Sequence, residues 1–263
     1  MRLKLKLKAK ESPAVIPVNY QYYFSAAVYL LLKFGSPEFS KFLHDQGFNL
    51  NGKKFKLFVF GLRLNKPVMR DGLFFLNDSQ CELIISSPLI ETFIRHFVLG
   101  TFEKQNIFIN YQERSTKFLI HEVEMIPSPQ FTSEMKFEML SPLTVSTMIK
   151  KNERVIPYYY RYDDSNLTQA IKNNLLKKYK LLYNSDLTPA HFDFEFNKDE
   201  IERKMGNISK LITVAEGTPQ QSKVKAIQCG FRIKTNPELV KVGYDCGFGE
   251  KNSMGFGLVK VHK

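Results

Sequence analysis

The sequence is poor in cysteine and has no recognisable metal-binding pattern. Its 263 residues include three cysteines, Cys81, Cys229 and Cys246, and no C-x-x-C pair. Neither a disulfide framework nor a thiolate zinc site is therefore indicated, and a reducing compartment fits best. The five histidines also lack H-x-x-x-H spacing. We expect a protein that uses no metal and no other cofactor.

Long apolar runs and acidic residues are also scarce. No segment approaches the roughly 18 uninterrupted apolar residues of a membrane span, and the N-terminal MRLKLKLKAK lacks the apolar core of a signal peptide. We expect a soluble, cytoplasmic protein. Lys and Arg outnumber Asp and Glu by 38 to 26, which gives a net charge of +12. This excess favours a polyanionic partner, and charge alone leaves RNA, DNA and an acidic membrane surface open.

Within the basic N-terminus, leucine and lysine alternate. Leu3, Leu5 and Leu7 interleave with Arg2, Lys4 and Lys6, and this period of two predicts a β-strand with one apolar and one cationic face. Lys4 and Lys6 on the cationic face suit binding to a nucleic-acid backbone. The alternative is a solvated strand whose lysines only prevent edge pairing.

Two helices are predicted after this strand. The first has Asn19 as its N-cap, and Tyr29 lies opposite its apolar side. The inward residues of this helix share helical spacing: Tyr23, Phe24, Ala27, Val28, Leu31 and Leu32. The second helix is shorter, begins at Ser36 as N-cap and ends before Gly47. His44 lies off its apolar stripe in the last turn, a position that suits either an ordinary surface histidine or a functional one.

The remaining pattern predicts a repeated architecture. One long strand is expected over KKFKLFVFGLRL, a hairpin over GLFFL and CELIISS, and a third helix from Ser87-Pro88 to Gly100. With strands near 106–110 and 117–125, this is a βαββαβ order. The proline-rich IPSPQF is the best linker, and the second half repeats the scheme loosely. We predict an α+β protein of two tandem ferredoxin-like domains, at 1–126 and 127–263.

The segment GFGEKNSMGFG near the C-terminus raises the question of a nucleotide-binding loop. Such a loop needs a strand before its glycines and a helix after them, because the helix N-terminus holds the phosphate. Only LVKVHK follows here, and it reads as a short closing strand. The spacing also differs from G-x-G-x-x-G and from G-x-x-x-x-G-K-[ST]. A nucleotide-binding enzyme is therefore the weakest of the alternatives.

Taken together, these features resemble the CRISPR-associated endoribonucleases that cut repeat RNA out of a long precursor transcript. These enzymes belong to the RAMP superfamily, whose C-terminal signature is G-φ-G-x5-G-φ-G, and the segment GFGEKNSMGFG matches it at every position. QYYFSAAVY, KFLHD, KLFVFGL, HEVE, MLSPLTV and KVGYD extend the resemblance over nearly the whole chain. The implied fold is two ferredoxin-like domains. The implied activity is metal-independent RNA cleavage that leaves a 5′-hydroxyl and a 2′,3′-cyclic phosphate.

The resemblance also implies catalytic residues, carried by the N-terminal domain. The family's histidine corresponds to His44 in KFLHD and its tyrosine to Tyr29 in SAAVY. KLFVFGL suggests Lys56 as the lysine, with Lys53 and Lys54 as alternatives. Histidine can carry either proton step near neutral pH, tyrosine can orient the reacting groups, and lysine can supply positive charge.

RNA is the implied partner, in the form of precursor CRISPR RNA, and subunits of a CRISPR effector complex are a further candidate. We expect a monomer or a homodimer with no membrane partner. Our predicted RNA-binding residues comprise the glycine-rich segment and the first strand: Gly247, Gly249, Lys251, Asn252, Ser253, Gly255, Gly257, Lys4 and Lys6. The alternative function is an RAMP-type subunit that binds CRISPR RNA without cutting it.

Overall fold

The chain is divided into two units in the computed structural model, which describes residues 1–262. Unit 1 consists of Met1–Ser128 together with Ser253–Gly255, and unit 2 consists of Pro129–Asn252 and Phe256–Lys263. The main division thus falls two residues after the predicted one, and unit 1 includes a short segment from the C-terminal glycine-rich region. Among residues 1–262, none of the helices combines the length and apolar content needed to span a bilayer.

Unit 1 contains ten strands, three α-helices and one π-helical turn. In chain order they are β1 (Arg2–Ala9), β2 (Ala14–Pro17), α1 (Gln21–Gly35), α2 (Pro37–Asp45), β3 (Phe48–Leu50), β4 (Lys53–Phe55), β5 (Val59–Leu64), β6 (Val68–Arg70), β7 (Leu73–Leu76), β8 (Gln80–Ser86), the π-helical turn (Ile90–Ile94), α3 (Arg95–Lys104), β9 (Asn106–Tyr111) and β10 (Arg114–Ile126). The main sheet has the order β5-β8-β1-β10-β9, and every neighbouring pair is antiparallel. With α1 after β1 and α3 after β8, this is the ferredoxin-like arrangement with β9 added at one edge.

The alternating N-terminus forms the central strand of this sheet. Leu3, Leu5 and Leu7 are buried in the core against α1 and α3, as predicted. Arg2, predicted on the cationic face, is also buried. β1 pairs with β8 on one side and with β10 on the other, so it is not an edge strand. The alternative explanation, that its lysines prevent edge pairing, is therefore wrong.

Two glycines allow α1 and α3 to pack closely. A Cβ added to Gly100 would lie 1.7 Å from the Leu31 carbonyl oxygen, and one added to Gly35 would lie 1.8 Å from the His96 carbonyl oxygen. The prediction that the third helix ends at Gly100 is therefore wrong. The helix continues to Lys104, because this glycine provides close backbone packing instead of a stop.

Two smaller predictions for unit 1 are also wrong. The N-cap of α1 is Tyr20 instead of Asn19, and its side chain makes no capping bond. β7 and β8 do not form a hairpin, since β7 pairs with β2 and β6. At the turn between them, the Ser79 hydroxyl donates to the Glu11 carbonyl oxygen and the Ala9 N–H donates to Ser79. These bonds stabilise the turn at which the chain passes from the sheet of β2, β7 and β6 to the main sheet.

Unit 2 repeats the ferredoxin-like order with inserted hairpins. Its elements are β11 (Glu134–Met139), β12 (Ser146–Lys151), β13 (Arg154–Tyr159), α4 (Leu167–Tyr183), β14 (Asp193–Phe196), α5 (Lys198–Arg203), β15 (Ser209–Val214), β16 (Ser222–Ile227), β17 (Phe231–Lys234), α6 (Pro237–Cys246) and β18 (Val259–Val261). A 3₁₀ turn (Asn252–Met254) begins at the last residue before the segment that belongs to unit 1. The sheet order β14-β17-β11-β18 is the same as β5-β8-β1-β10 in unit 1. The fold prediction of tandem ferredoxin-like domains is confirmed.

Candidate active site

Ser36 joins the two helices that carry the predicted Tyr29 and His44. It follows α1 directly and caps α2, since its side chain accepts a hydrogen bond from the Phe39 N–H at 3.3 Å. On α2, the Ser40 hydroxyl donates to the Tyr29 carbonyl oxygen at 3.1 Å. These bonds fix the helix pair, and the rings of Tyr29 and His44 meet edge to face with centroids 5.6 Å apart.

His44 presents most of its side chain to solvent. It occupies the last turn of α2, and 72% of the side chain is exposed. Its Nδ1 lies 2.8 Å from Oδ1 of Asp45, whose pKa is lowered chiefly by this hydrogen bond. An ionised carboxylate can only accept, so Nδ1 carries the hydrogen. In the neutral imidazole, Nε2 then has the lone pair that can take a proton.

Tyr29 is more enclosed than the helical pattern predicts. It is half-buried at the edge of the core, and its ring packs edge to face against Phe58 with centroids 5.9 Å apart. Burial raises the pKa of Tyr29 to about 12, and a hydrogen bond with the Ser253 side chain partly opposes this. The phenol therefore stays protonated near neutral pH and acts as a hydrogen-bond donor.

Lys56 reaches the end of α2 because the predicted long strand is interrupted. Leu57, between β4 and β5, has a φ of 54°. From this break the Lys56 ammonium donates to the carbonyl oxygens of Leu43 and His44, the latter at 2.9 Å. Gly47 leaves space for it, since a Cβ there would lie 3.0 Å from Lys56 Cδ. The structure thus brings Lys56 to the backbone of the candidate histidine.

The two alternative lysines differ in their positions. Lys54 is exposed and donates to the Asp45 carbonyl oxygen at 2.8 Å, so it also contacts the end of α2. Lys53 is exposed on the same short strand. Burial lowers the pKa of Lys56, the neighbouring charge of Lys54 lowers it further, and Asp45 opposes both. Lys56 is the half-buried member of the three, with the direct bond to His44.

The glycine-rich segment connects α6 to β18 in unit 2. Phe248 and Phe256 are fully buried, and the Phe248 N–H donates to the Gly257 carbonyl oxygen at 2.9 Å. A Cβ added to Gly257 would lie 1.9 Å from the Phe248 oxygen, and one added to Gly249 would lie 2.4 Å from a main-chain oxygen. Both glycines have φ above 70°. Close packing around two aromatic anchors therefore requires glycine here, and β18 confirms the predicted closing strand.

Lys178 holds this segment from α4, and sequence reasoning missed it. It is 2% exposed and donates three hydrogen bonds of 2.7 Å, to the carbonyl oxygens of Gly247 and Gly249 and to Oδ1 of Asn252. Burial lowers its pKa to about 8. The available signal was its spacing, since it lies seven residues after Ile171 and three after Leu175, on the inward stripe of the helix.

Asn252 corrects a prediction about the same segment. It was expected to face RNA, but it is 9% exposed, and its Nδ2 donates to the carbonyl oxygens of Phe248 and Phe256. Its amide thus bridges the two Gly-Phe-Gly triplets from inside. Lys251 is half-buried with a φ of 55°, and its predicted RNA contact stays a prediction.

The lysines of β1 are bound to carboxylates across the sheet. Lys4 lies 2.6 Å from Glu124, and Lys6 lies 2.8 Å from Glu122 and 2.5 Å from Glu124. Hydrogen bonds from Lys4 and Lys6 lower the pKa of Glu124 to about 2. Lys4 and Lys6 are therefore paired with carboxylates, and their predicted RNA contacts stay predictions.

Residues 1–262 contain no group of three or more His, Cys, Asp or Glu side chains arranged to hold a metal ion. The three cysteines are buried as free thiols, and burial raises the pKa of Cys81, Cys229 and Cys246. They are therefore poor nucleophiles at neutral pH. The side chains of Tyr29, His44 and Lys56 at the end of α2 are the candidate site in unit 1.

Both halves of the chain match the sequence profiles of one protein family. The profile of the CRISPR-associated protein Cas6, N-terminal, matches residues 15–124, and that of the CRISPR associated protein Cas6, C-terminal, matches residues 126–261. A Methanocaldococcus jannaschii protein named CRISPR-associated endoribonuclease Cas6 1 is 32% identical over 260 residues, covering 98% of this chain and 92% of the relative.

Two solved structures are similar over the whole chain. One, described as CRISPR associated protein Cas6, has a TM-score of 0.77 and 30% identity, with 100% of this chain and 99% of the other covered. The second is described as an RAMP protein binding different RNA substrates. It has a TM-score of 0.81 and 22% identity with 100% of both chains covered, which supports the fold alone.

Proposed function

The chain belongs to the Cas6 family of CRISPR-associated endoribonucleases, and on that premise we propose that Tyr29, His44 and Lys56 cleave precursor CRISPR RNA within its repeats. The cut is made by the RNA's own 2′-hydroxyl. It leaves one product with a 2′,3′-cyclic phosphate and the other with a 5′-hydroxyl.

The observation that carries this proposal is the cluster at the end of α2. The edge-to-face contact of Tyr29 with His44 and the bond from the Lys56 ammonium to the His44 carbonyl oxygen gather a proton carrier, a protonated phenol and a cation. A phosphodiester cleavage without metal needs these three capabilities. The three residues lie on α1, on α2 and directly after β4, so the fold and not the local sequence brings them together.

The reaction requires two proton transfers. As the 2′-oxygen bonds to phosphorus, it loses its proton, and as the bond from phosphorus to the 5′-oxygen breaks, that oxygen gains one. His44 carries one of these transfers: as imidazole it takes the proton at Nε2, and as imidazolium it gives one up from the same atom. Solvent water, which reaches this exposed site, exchanges the other proton. The hydrogen bond from its Nδ1 to Asp45 holds the ring in the orientation that exposes Nε2.

Tyr29 and Lys56 stabilise the charge that develops on the phosphate. The Tyr29 phenol, with a pKa of about 12, donates a hydrogen bond instead of a proton. Lys56 contributes positive charge and fixes the final turn of α2 through its bonds to Leu43 and His44. Both effects are larger at a phosphorane than at the starting diester, so they speed the chemical step.

RNA binding in this proposal depends on charge. The net charge of +12 supports a phosphate track, and Lys251 supplies a cation on the glycine-rich segment. Gly247, Gly249, Gly255 and Gly257 contribute by shaping the segment. Lys4 and Lys6 join the track only if phosphates replace their glutamate partners. Binding to effector-complex subunits, a monomeric or homodimeric state and a cytoplasmic location stay predictions.

The experiment is a cleavage assay with purified protein in excess EDTA, using the repeat identified by sequencing RNA that co-purifies with it. We expect cutting at full rate and product ends of the two kinds named above. Loss of cutting in EDTA, restored by Mg²⁺ or Mn²⁺, contradicts the mechanism. Tight repeat binding without any cutting supports the alternative, a non-catalytic CRISPR RNA-binding subunit.

A further inference from the structure

One side of α1 carries three polar residues at intervals of four. Gln21, Ser25 and Tyr29 therefore lie one above another along the helix. Gln21 and Ser25 are buried and Tyr29 is half-buried, although a polar stripe on a helix usually faces solvent. Some other part of unit 1 must cover these residues.

The covering segment is Ser253–Gly255, which belongs to unit 1. The Ser25 hydroxyl donates to the Ser253 carbonyl oxygen at 2.9 Å. Gly255 packs at the N-terminal end of the stripe, where an added Cβ would lie 3.4 Å from Gln21 Cγ and 3.0 Å from the Phe60 ring. The three residues thus run along the stripe, with Ser253 at its Tyr29 end.

We propose that Ser253 is a positioning residue for Tyr29, and that Ser25 holds Ser253 in place for this task. The bond from Ser25 holds Ser253 one helical turn from Tyr29 on the same stripe. In this position the Ser253 hydroxyl lowers the pKa of the Tyr29 phenol, against the effect of burial. This interpretation rests on the proposed function, and it replaces the prediction that Ser253 contacts RNA.

The physical reason lies in how little else directs the Tyr29 phenol. Its ring is held by edge-to-face contacts with Phe58 and His44, and such contacts fix a ring while leaving its hydroxyl hydrogen free to rotate. A serine hydroxyl can donate and accept, so Ser253 can bond to the phenol oxygen and leave the phenol hydrogen for the reacting phosphate. Orientation gained in this way lowers the barrier without adding a contact to RNA.

A double-mutant cycle tests the proposal. Ser253→Ala removes the hydroxyl and keeps the carbonyl oxygen that accepts from Ser25. We expect single-turnover cleavage of repeat RNA to slow by about 3- to 10-fold, the usual effect of one neutral hydrogen bond, with the dissociation constant unchanged. In the Tyr29→Phe background the same change should alter the rate by less than about twofold, because coupled residues are not additive.

Two further variants and one control complete the experiment. Ser253→Thr retains a hydroxyl and should recover most of the rate, and Ser25→Ala should slow cleavage in the same Tyr29-dependent way. Ser185→Ala, an exposed serine that follows α4, should change nothing. Melting curves for each variant exclude a loss of fold.

The outcomes separate this inference from the proposed function. Weaker RNA binding by Ser253→Ala at an unchanged saturated rate makes Ser253 an RNA contact and overturns the inference. An equal slowing in the wild-type and Tyr29→Phe backgrounds overturns it as well. If Tyr29→Phe cleaves at the wild-type rate, the Tyr29 hydroxyl does not contribute to the reaction, and the inference about Ser253 is overturned. If His44→Ala also cuts at the wild-type rate, the proposed active site itself is wrong.

Discussion

The end of α2 and the glycine-rich segment are both marked as functional in the sequence, yet the structure builds them in opposite ways. His44 presents 72% of its side chain to solvent. The glycine-rich segment buries Phe248 and Phe256 completely, and its Asn252 and the supporting Lys178 are buried as well. The end of α2 exposes the candidate catalytic histidine, whereas the glycine-rich segment is packed like part of the hydrophobic core.

This difference teaches that a conspicuous sequence signature need not touch the substrate. Gly249 and Gly257 are required because main-chain oxygens occupy the space that a side chain would need. Their substitution should therefore act on stability first, whereas substitution of His44 should act on rate alone. Each prediction below compares the two regions on these separate scales.

The largest expected effect is on rate. His44→Ala should slow single-turnover cleavage by about 10²- to 10⁴-fold, the usual range for losing a general acid or base. The free energy of unfolding should change by less than about 0.5 kcal/mol, because the side chain is exposed. His121→Ala, an exposed histidine on β10, is the control. A destabilised His44→Ala would remove the contrast between the regions.

On the stability scale, Gly257→Ala should cost about 3 kcal/mol or more in urea unfolding, from backbone strain together with the collision at the Phe248 oxygen. Gly217→Ala is the matched control, since Gly217 has a φ of 76° but nothing within 4 Å of an added Cβ. It should cost only the conformational strain, about 1–2 kcal/mol. Equal costs would mean that close packing is unimportant in the glycine-rich segment.

Lys178→Met should destabilise the protein by about 2–4 kcal/mol at pH 7, because buried oxygens of Gly247, Gly249 and Asn252 lose their donor. Lys177→Met, at the neighbouring position on α4, is the control and should have little effect. The measurement is urea unfolding of both variants. Unchanged stability of Lys178→Met would show that the three hydrogen bonds contribute nothing net.

The same pair of proteins gives a pH test. The folded-state pKa of Lys178 is about 8, below its ordinary value of 10.5, so between these values the unfolded chain binds more protons. Linkage then makes the stability contribution of Lys178 rise with pH in this window. The stability difference between wild type and Lys178→Met should widen from pH 8 to pH 10.5. A difference that narrows would contradict the lowered pKa.

The smallest of these effects concerns the choice of lysine. Lys56→Ala should slow cleavage by about 10- to 100-fold, the effect of losing a charge-assisted hydrogen bond. Lys54→Ala should have a smaller effect, because Lys54 binds the Asp45 carbonyl oxygen instead of that of His44. Lys53→Ala should have the least. Single-turnover rates of the three variants rank them, and a reversed order would transfer the role away from Lys56.

Periodicity predicted what depends on local pattern. The alternation of Leu3, Leu5 and Leu7 predicted a half-buried strand, and Ser36 with Pro37 predicted the start of α2, since both signals act within a few residues. The order of elements was sufficient to predict both ferredoxin-like sheets.

Contacts between distant segments were not predictable in this way. The prediction of a helix stop at Gly100 is wrong because the packing of this glycine against Leu31 cannot be recognised from the neighbouring residues alone. The prediction of a β7–β8 hairpin is wrong because β7 pairs with β6 and with β2, and β2 is a short strand 59 residues earlier with no clear pattern of its own. Asn252 looked like a surface residue because its buried donor, Lys178, lies on another helix.

The measurement that tests the central claim most directly uses a repeat RNA with one 2′-deoxy nucleotide immediately upstream of the cut. If the 2′-hydroxyl is the nucleophile that the Tyr29, His44 and Lys56 cluster serves, this RNA binds with nearly the same affinity as the unmodified repeat and is not cleaved in a single-turnover assay. Cleavage of the deoxy substrate at the normal rate would contradict the account.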